Sequence, residues 1–319
     1  MQIWNFILSN LKNNIKVTLL YVVDSKGSSP GRKGFVMAVN ERAVFEGTIG
    51  GGIMEVKMIE LAKSKFKKGN TKPIIKKQFH NKSEQRNQSG LICSGEQTLV
   101  IFPFKKADIE IVEHIVNRKE DLYLLMGSQT PLQISQEQKT EKIQIYSEED
   151  FECIINVKKP KTIHIFGAGH VGLALAQQMY LLCYKIIQYD ERPEVFTISK
   201  NKFAHEIKVI DFQNIEKNME ADSSDIVVIV STSYRTDKII LKQLYYKKFA
   251  YIGMMGSDHK IASLKKELLA EGISNKEIDH IFMPIGLEIY SKTAAEIAVS
   301  IAAQIIYKTN KNLPTGRKY

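Results

Sequence analysis

Apolar positions along this 319-residue chain change period several times. Trp4, Phe6, Ile7, Leu8 and Leu11 fall at helical spacing and predict a short amphipathic helix over residues 1–14. Lys16–Val23 is a continuous β-branched run and predicts a strand. Asp24–Gly34 (DSKGSSPGRKG) is dense in Ser, Gly and Pro and predicts a loop. Phe35–Val39 and Ala43–Phe45 around Asn40–Arg42 predict a hairpin. After Thr48–Glu55 (TIGGGIME), Ile53, Val56, Met58, Ile59 and Ala62 recur with a helical period as far as about Phe66. A polar, Lys-rich connection leads to a strand at Thr98–Phe102, a helix at Ala107–Asn117 and a strand at Asp121–Met126. Gly127–Glu149 is polar and reads as irregular, and Phe151–Pro160 as the joint between two halves.

Beyond that joint the pattern becomes a β/α alternation. Strands are predicted at Ile163–Phe166, in the run ending at Asp190, and at Glu206–Ile210, Asp225–Ser231, Phe249–Ile252 and His280–Met283. Helices are predicted at Val171–Leu182, Asp237–Tyr246, Ser257–Glu271 and Lys292–Tyr307. About six strands separated by helices are the count of a doubly wound parallel sheet. Its first turn carries Gly167, Gly169 and Gly172 in the spacing G-x-G-x-x-G. In a dinucleotide-binding unit the first glycine makes the tight turn, the second admits a pyrophosphate and the third lets helix pack on strand. Asp190 stands where an acid would accept hydrogen bonds from a ribose. The same glycines would also serve a turn that binds nothing. Ligands of such sheets sit beyond the strand C-termini, which gathers Gly167–Gly172, Asp190, Ser231–Arg235 and Gly253–Ser257 around one crevice. Gly256 and Ser257 open a helix there as a second backbone anion site, and His170 is the one histidine in the crevice.

The first half has its own candidate. Gly50, Gly51 and Gly52 open a helix, so exposed N–H groups and the helix dipole could cradle an anion, with Arg32 or Lys33 as the cation. A sharp turn where backbone meets backbone is an equal alternative. Glu55 suits the first turn of that helix. Cys93, in a small loop ahead of a strand, is a candidate thiol, whereas Cys183, ending an apolar helix, is expected in the core. Composition narrows the class. With 44% hydrophobic and 25% charged residues the chain reads as globular. A formal net charge of +10 that includes only seven arginines favours anionic ligands in general. Zinc-finger spacing, aromatic RNA-binding strands and arginine stripes are all lacking, so nucleic acid is not expected. No apolar run approaches the roughly 20 residues of a membrane span, and the start lacks a secretory pattern, so the expected location is cytoplasmic. No hydrolase triad, P-loop or metal-ligand spacing stands out, so no catalytic or metal residue is assigned.

Seven blocks in order carry a family resemblance: GSSPGRKG (Gly27–Gly34), TIGGGIME (Thr48–Glu55), CSGE (Cys93–Glu96), IFGAGHVG (Ile165–Gly172), DERPEVF (Asp190–Phe196), YIGMMGS (Tyr251–Ser257), and PIGLEI (Pro284–Ile289) with TAAEIAVSIAAQII (Thr293–Ile306). Together they resemble the XdhC/CoxI-type accessory proteins of xanthine dehydrogenase and related molybdenum hydroxylases. The triple glycine before Ile53 looks like the XdhC branch, and Ser94 departs from the Cys-Gly-Gly common in the family. The resemblance implies an α/β chain: an N-terminal α+β XdhC-type domain (residues 1–157) followed by a Rossmann-like doubly wound parallel sheet (158–319), often dimeric. It implies a molybdopterin-type molybdenum cofactor held for sulfuration by a cysteine desulfurase and delivered to an apo-xanthine dehydrogenase or related hydroxylase. The cofactor-binding candidates are then Arg32, Gly50, Gly51, Gly52, Glu55, Cys93, Gly167, Gly169, His170, Gly172, Asp190, Gly256 and Ser257. The competing function is an NAD(P)-dependent oxidoreductase or dinucleotide sensor, for which no motif supplies a proton donor.

Overall fold

The computed structural model describes residues 2–69, 71–79, 95–136 and 140–310. The chain divides into two compact units, Met1–Lys159 and Pro160–Tyr319.

In the first unit, α1 (Gln2–Lys12) buries Trp4, Ile7 and Leu11, the stripe predicted from spacing. It lies beside a five-stranded antiparallel sheet in the order β3-β2-β1-β5-β4. These strands are β1 (Val17–Lys26), β2 (Val36–Asn40), β3 (Phe45–Thr48), β4 (Ile74–Phe79) and β5 (Glu96–Pro103). The central strand β1 is covered on both faces, which is why its sequence runs apolar without alternation. Val17, Leu19, Tyr21 and Val23 join the core that holds α1 and α3 (Ile109–Val116). Leu20 and Val22 face Met54, Met58 and Ala62 of α2 (Gly52–Lys67). Each fully buried aliphatic side chain contributes about 1.5–3 kcal/mol.

A second antiparallel sheet, β7-β6-β9-β8, packs into the same core as α1. It contains β6 (Leu122–Gly127), β7 (Gln133–Ile134), β8 (Lys142–Ser147) and β9 (Asp150–Val157). Two expectations fail here. The stretch read as irregular contains β7 and β8, and the presumed joint is β9, an inner strand hydrogen-bonded to both β6 and β8. Phe151, Cys153, Ile155 and Val157 point into the core, an alternation masked by the apolar Ile154 between them. β4 is likewise hidden in a Lys-rich stretch, because only its Ile75 and Gln78 are buried. The helix at 52–67 forms, but its buried face is Met54, Met58, Ala62 and Lys65, while Ile53 and Val56 are exposed.

The second unit is a parallel sheet in the order β12-β11-β10-β13-β14. Its strands are β10 (Thr162–Phe166), β11 (Lys185–Asp190), β12 (Glu206–Val209), β13 (Ile226–Ile229) and β14 (Tyr251–Met254). One face carries α4 (His170–Leu181) and α10 (Ala294–Asn310), through Leu175, Met179, Ala298 and Ile301. The short α5 (Phe196–Lys200) lies beside α4. The other face carries α6 (Ile215–Asn218), α7 (Tyr234–Leu244), α8 (Asp258–Ala270) and α9 (Asn275–Ile278). The sheet is doubly wound, as expected, with five strands rather than six. Phe282 makes a single parallel bridge to Gly253. Pro284 follows and has no N–H to extend the ladder. Cys183 also departs from expectation and is exposed. It takes φ 62° just beyond α4, while its N–H donates to Tyr180 O at 3.0 Å and that of Tyr184 to Met179 O at 3.0 Å. That pair of bonds ends a helix with its C′ side chain turned outward.

Candidate functional site

In the first unit the triple glycine is a loop already filled by its own carboxylate. Gly50, Gly51 and Gly52 all have positive φ, at 124°, 81° and 70°. A Cβ at Gly50 would lie 2.4 Å from Gly31 N, so backbone meets backbone there. Glu55 reaches back from the first turn of α2. Its Oε1 accepts from Ile49 N and Gly51 N, each at 2.8 Å, and from the Thr48 hydroxyl. Gly50 N donates to Thr48 Oγ1 at 3.1 Å. An incoming anion would meet N–H groups that are taken and a negative charge where it needs a positive one. The alternative of a sharp turn accounts for this loop. Arg32 is exposed, and Lys33 Nζ pairs with Glu141 at 2.6 Å rather than serving the glycine loop. Below the loop, the buried Gln97 accepts from Ser29 Oγ at 3.2 Å and donates to the Gln78 amide at 3.0 Å. Cys93 lies outside the described residues.

In the second unit the glycine turn is built as its spacing predicts. Gly167 has φ 114°, and a Cβ there would lie 2.6 Å from Val230 O. A Cβ on Gly172 would lie 2.0 Å from Gly167 O. Gly169, the N-cap of α4, is different: the nearest atom to its Cβ position is Thr232 Cγ2, 3.9 Å away. The two outer glycines therefore serve packing, and the middle one leaves space. His170, the first residue of α4, is exposed. The turn is clamped from below. Gln188 Nε2 donates to Gly167 O at 3.1 Å, Thr197 Oγ1 donates to Ala168 O, and Ala168 N donates to Asp190 Oδ2 at 2.7 Å.

Asp190 is therefore not a free ribose acceptor. Arg192 forks onto it, Nε to Oδ1 at 2.9 Å and Nη2 to Oδ2 at 3.0 Å. Arg192 N adds a bond to Oδ1 at 3.0 Å. Burial alone would raise the Asp190 carboxyl, but the bonds from Arg192 and Ala168 hold it below the usual carboxylate range. A ribose hydroxyl would have to displace Arg192. Two residues from Asp190, Arg192 is legible in the sequence only as part of the DERPEVF block.

The same end of the sheet holds a cluster that the sequence does not reveal. Asp237 in α7, 1% exposed, accepts from Ser231 Oγ at 2.5 Å and from Lys260 Nζ. Burial raises the Asp237 carboxyl even though Lys260 and Ser231 oppose the shift. Gly256 and Ser257 adjoin it. Ser257 caps α8 by accepting from Lys260 N at 3.3 Å, so its hydroxyl is used within the helix. The structure thus brings Gly167, Gly169, His170, Gly172 and Asp190 together, and it sets Gly256 and Ser257 beyond the end of β14, with β13 between β14 and β10. Nothing in the predicted pattern points to Asp237 as a partner of Lys260, since the two are 23 residues apart in sequence.

Comparison with known proteins follows the same division. Residues 163–305 match the XdhC Rossmann domain, and residues 11–76 match the XdhC and CoxI family. An uncharacterized protein of Escherichia coli, YqeB, is 23% identical over 317 residues, covering 96% of this chain and 46% of the relative. A Bacillus subtilis protein, named as a probable xanthine dehydrogenase subunit, is 30% identical over 148 residues, 46% of this chain and 42% of the relative. The chain thus spans less than half the length of these curated relatives. A solved structure described as a xanthine dehydrogenase from Bacillus halodurans covers 98% of both chains with a TM-score of 0.75 at 19% identity, a likeness of fold. With one family match in each unit, in the order the seven sequence blocks predict, the chain belongs to the XdhC and CoxI family.

Proposed function

We propose that this protein is an accessory factor of xanthine dehydrogenase or a related molybdenum hydroxylase. It binds the molybdopterin-type cofactor, holds it for sulfuration by a cysteine desulfurase and passes it to the apo-hydroxylase. The observation that carries the proposal is the paired family match across both units. The name of the Bacillus subtilis relative supports a xanthine dehydrogenase as partner. Of the two glycine turns, the second suits the cofactor. The first has its N–H groups on Glu55, whereas Gly169 has open space at the positive end of the α4 dipole. Gly169 and His170 would hold the cofactor phosphate there. Gly167, Gly172 and Asp190 keep that turn in shape, and Gly256 and Ser257 lie two strands away, beyond the end of β14. When bound, the cofactor supplies the molybdenum chemistry of its client; this chain contributes binding and release through backbone groups.

The test is co-expression of a client hydroxylase with and without this chain, reading hydroxylase activity and the cyanide-releasable sulfur of its cofactor. Activity and sulfur that both rise with the wild-type chain, and not with a Gly169→Asp variant, support the role. Equal values without the chain count against it. The open space at Gly169 also favours a second function, dinucleotide binding, tested by titration with NADH and NADPH.

A further inference from the structure

The PIGLEI segment, residues 284–289, belongs to neither glycine turn. It leaves the second unit's sheet at the carboxyl end of β14, where Ile285 N donates to Met254 O at 3.0 Å. Strands β10 and β14 lie in one parallel sheet, so this is also the edge that carries the Gly169 turn. Buried side chains of α10 then clamp the backbone. Gln304, 8% exposed, accepts from Gly286 N at 2.9 Å and donates to Gly286 O at 2.9 Å. The Ser300 hydroxyl, also buried, donates to Leu287 O at 2.6 Å. Gly286 has φ 102°, and a Cβ there would lie 2.4 Å from Ser300 Oγ, so glycine lets the clamp close. Beyond the turn Glu296 takes hold again, accepting from Lys292 N at 2.7 Å and from Thr293 N at 2.8 Å. Between the two clamps, no hydrogen bond or ion pair to a described residue involves Glu288, Ile289, Tyr290 or Ser291.

What the clamps hold out is apolar. Leu287 is 38% exposed, Ile289 45% and Tyr290 84%. Tyr290 also takes φ 55°, a left-handed conformation that a bulky side chain rarely adopts. Such backbone costs stability and persists where the surrounding structure enforces it, which marks a segment shaped for contact rather than for its own fold. A fixed turn that bares an aromatic ring binds with little further ordering, and tyrosine is a favoured anchor of protein interfaces. Glu288 stands among these side chains without an ion pair to a described residue, in a chain of net charge +10. An acid beside an apolar anchor selects a partner surface with a cation next to an apolar pocket. A second copy in a two-fold contact would instead set Glu288 against its own counterpart.

Building on the accessory role proposed above, we infer that the turn 287–290 is the element that docks the apo-hydroxylase, with Tyr290 as the anchor and Glu288 facing a basic residue of that partner. A recipient must reach the edge of the sheet where the cargo is held, and this turn stands on that edge. Tyr290 and Glu288 are docking residues and take no part in holding the cofactor.

The hydroxylase activated in the co-expression test is purified in its apo form, and its affinity for the full-length chain is measured by calorimetry. Tyr290→Gly removes the ring and suits the positive φ, so lost binding is not a misfolded turn; Tyr290→Phe keeps the ring. Affinity should fall about tenfold or more with Tyr290→Gly and stay near wild type with Tyr290→Phe. Glu288→Lys should weaken the complex roughly tenfold at low salt and less at high salt. Molybdopterin-type cofactor should bind every variant as it binds the wild type. Hydroxylase affinity indifferent to Tyr290→Gly and to Glu288→Lys overturns the inference. So does a parallel loss of cofactor affinity, which would make the turn a wall of the cofactor site. A wild-type dimer that Tyr290→Gly turns into a monomer, with hydroxylase affinity unchanged, overturns it in favour of a second copy. A wild-type chain that neither activates nor binds the hydroxylase fails the accessory role itself, and the docking turn falls with it.

Discussion

Gly167, Gly169 and Gly172 share one motif and have different physical duties. Gly172→Ala would put a methyl 2.0 Å from Gly167 O, a clash with backbone that cannot rotate away. A loss of about 1–3 kcal/mol is expected in urea unfolding. Gly169→Ala meets only Thr232 Cγ2 at 3.9 Å and should stay within about 0.5 kcal/mol of the wild type. Asp190 makes a prediction of opposite kind. Its folded-state pKa lies below the ordinary 3.8, so its contribution to stability is present above that value and is lost as pH falls through the folded pKa. Arg192→Leu should flatten that acid limb, read as the change of urea midpoint with pH below about 4. Lys65, 6% exposed in α2, has its pKa lowered by burial, with Glu149 opposing. A depressed lysine pKa means the unfolded chain binds the proton more tightly, so stability rises with pH from the folded pKa up to about 10.5. Lys65→Met should remove that slope and stabilise the protein at neutral pH by about 1 kcal/mol.

At the scale of elements, the loop before α2 shows how one side chain settles what a pattern leaves open. Three glycines before a helix read equally well as an anion cradle or as a turn, and Glu55 decides for the turn by accepting from Thr48, Ile49 and Gly51. Glu55→Ala should cost about 1–3 kcal/mol in urea unfolding, and Glu55→Gln less, since the amide oxygen still accepts. A Glu55→Ala variant as stable as wild type would mean the carboxylate is not what holds the loop. The same element shows where periodicity misleads. Ile53 and Val56 fit a helical stripe, yet the buried residues are Met54 and Met58, one position round the helix, with Lys65 below them. Strands β8 and β9 escape the pattern for a related reason. β8 is an edge strand with no buried residue, so its alternation of Lys142, Ile143, Gln144 and Ile145 carries little apolar signal. β9 packs on both faces at Ile154 and Ile155 and loses its alternation.

Over the whole molecule, legibility follows how much of the fold is local. The β/α alternation of the second unit is readable because each parallel strand is a short apolar run followed by a helix with its own stripe. Its glycine turn is readable because the spacing of three glycines fixes it. The contacts that define the crevice are less so: Arg192 on Asp190 is local, two residues on, but no spacing marks it as a fork, and Lys260 on Asp237 depends on β13 and β14 becoming neighbours, which only the sheet order β12-β11-β10-β13-β14 supplies. A cavity around Tyr21 in the first unit likewise joins β1, the loop carrying Lys33 and the second sheet, segments far apart along the chain. The family is legible where the fold details are not, because seven short blocks in order are specific even when each alone is weak. The measurement that tests the central claim most directly is calorimetric titration of the purified chain with molybdopterin-type cofactor, set beside NADH and NADPH and repeated on Gly169→Ala and Gly169→Asp. Micromolar cofactor binding that survives the alanine and is lost with the aspartate is the expected result. Tight NADH or NADPH binding with no cofactor binding, or cofactor binding indifferent to the aspartate, would contradict it.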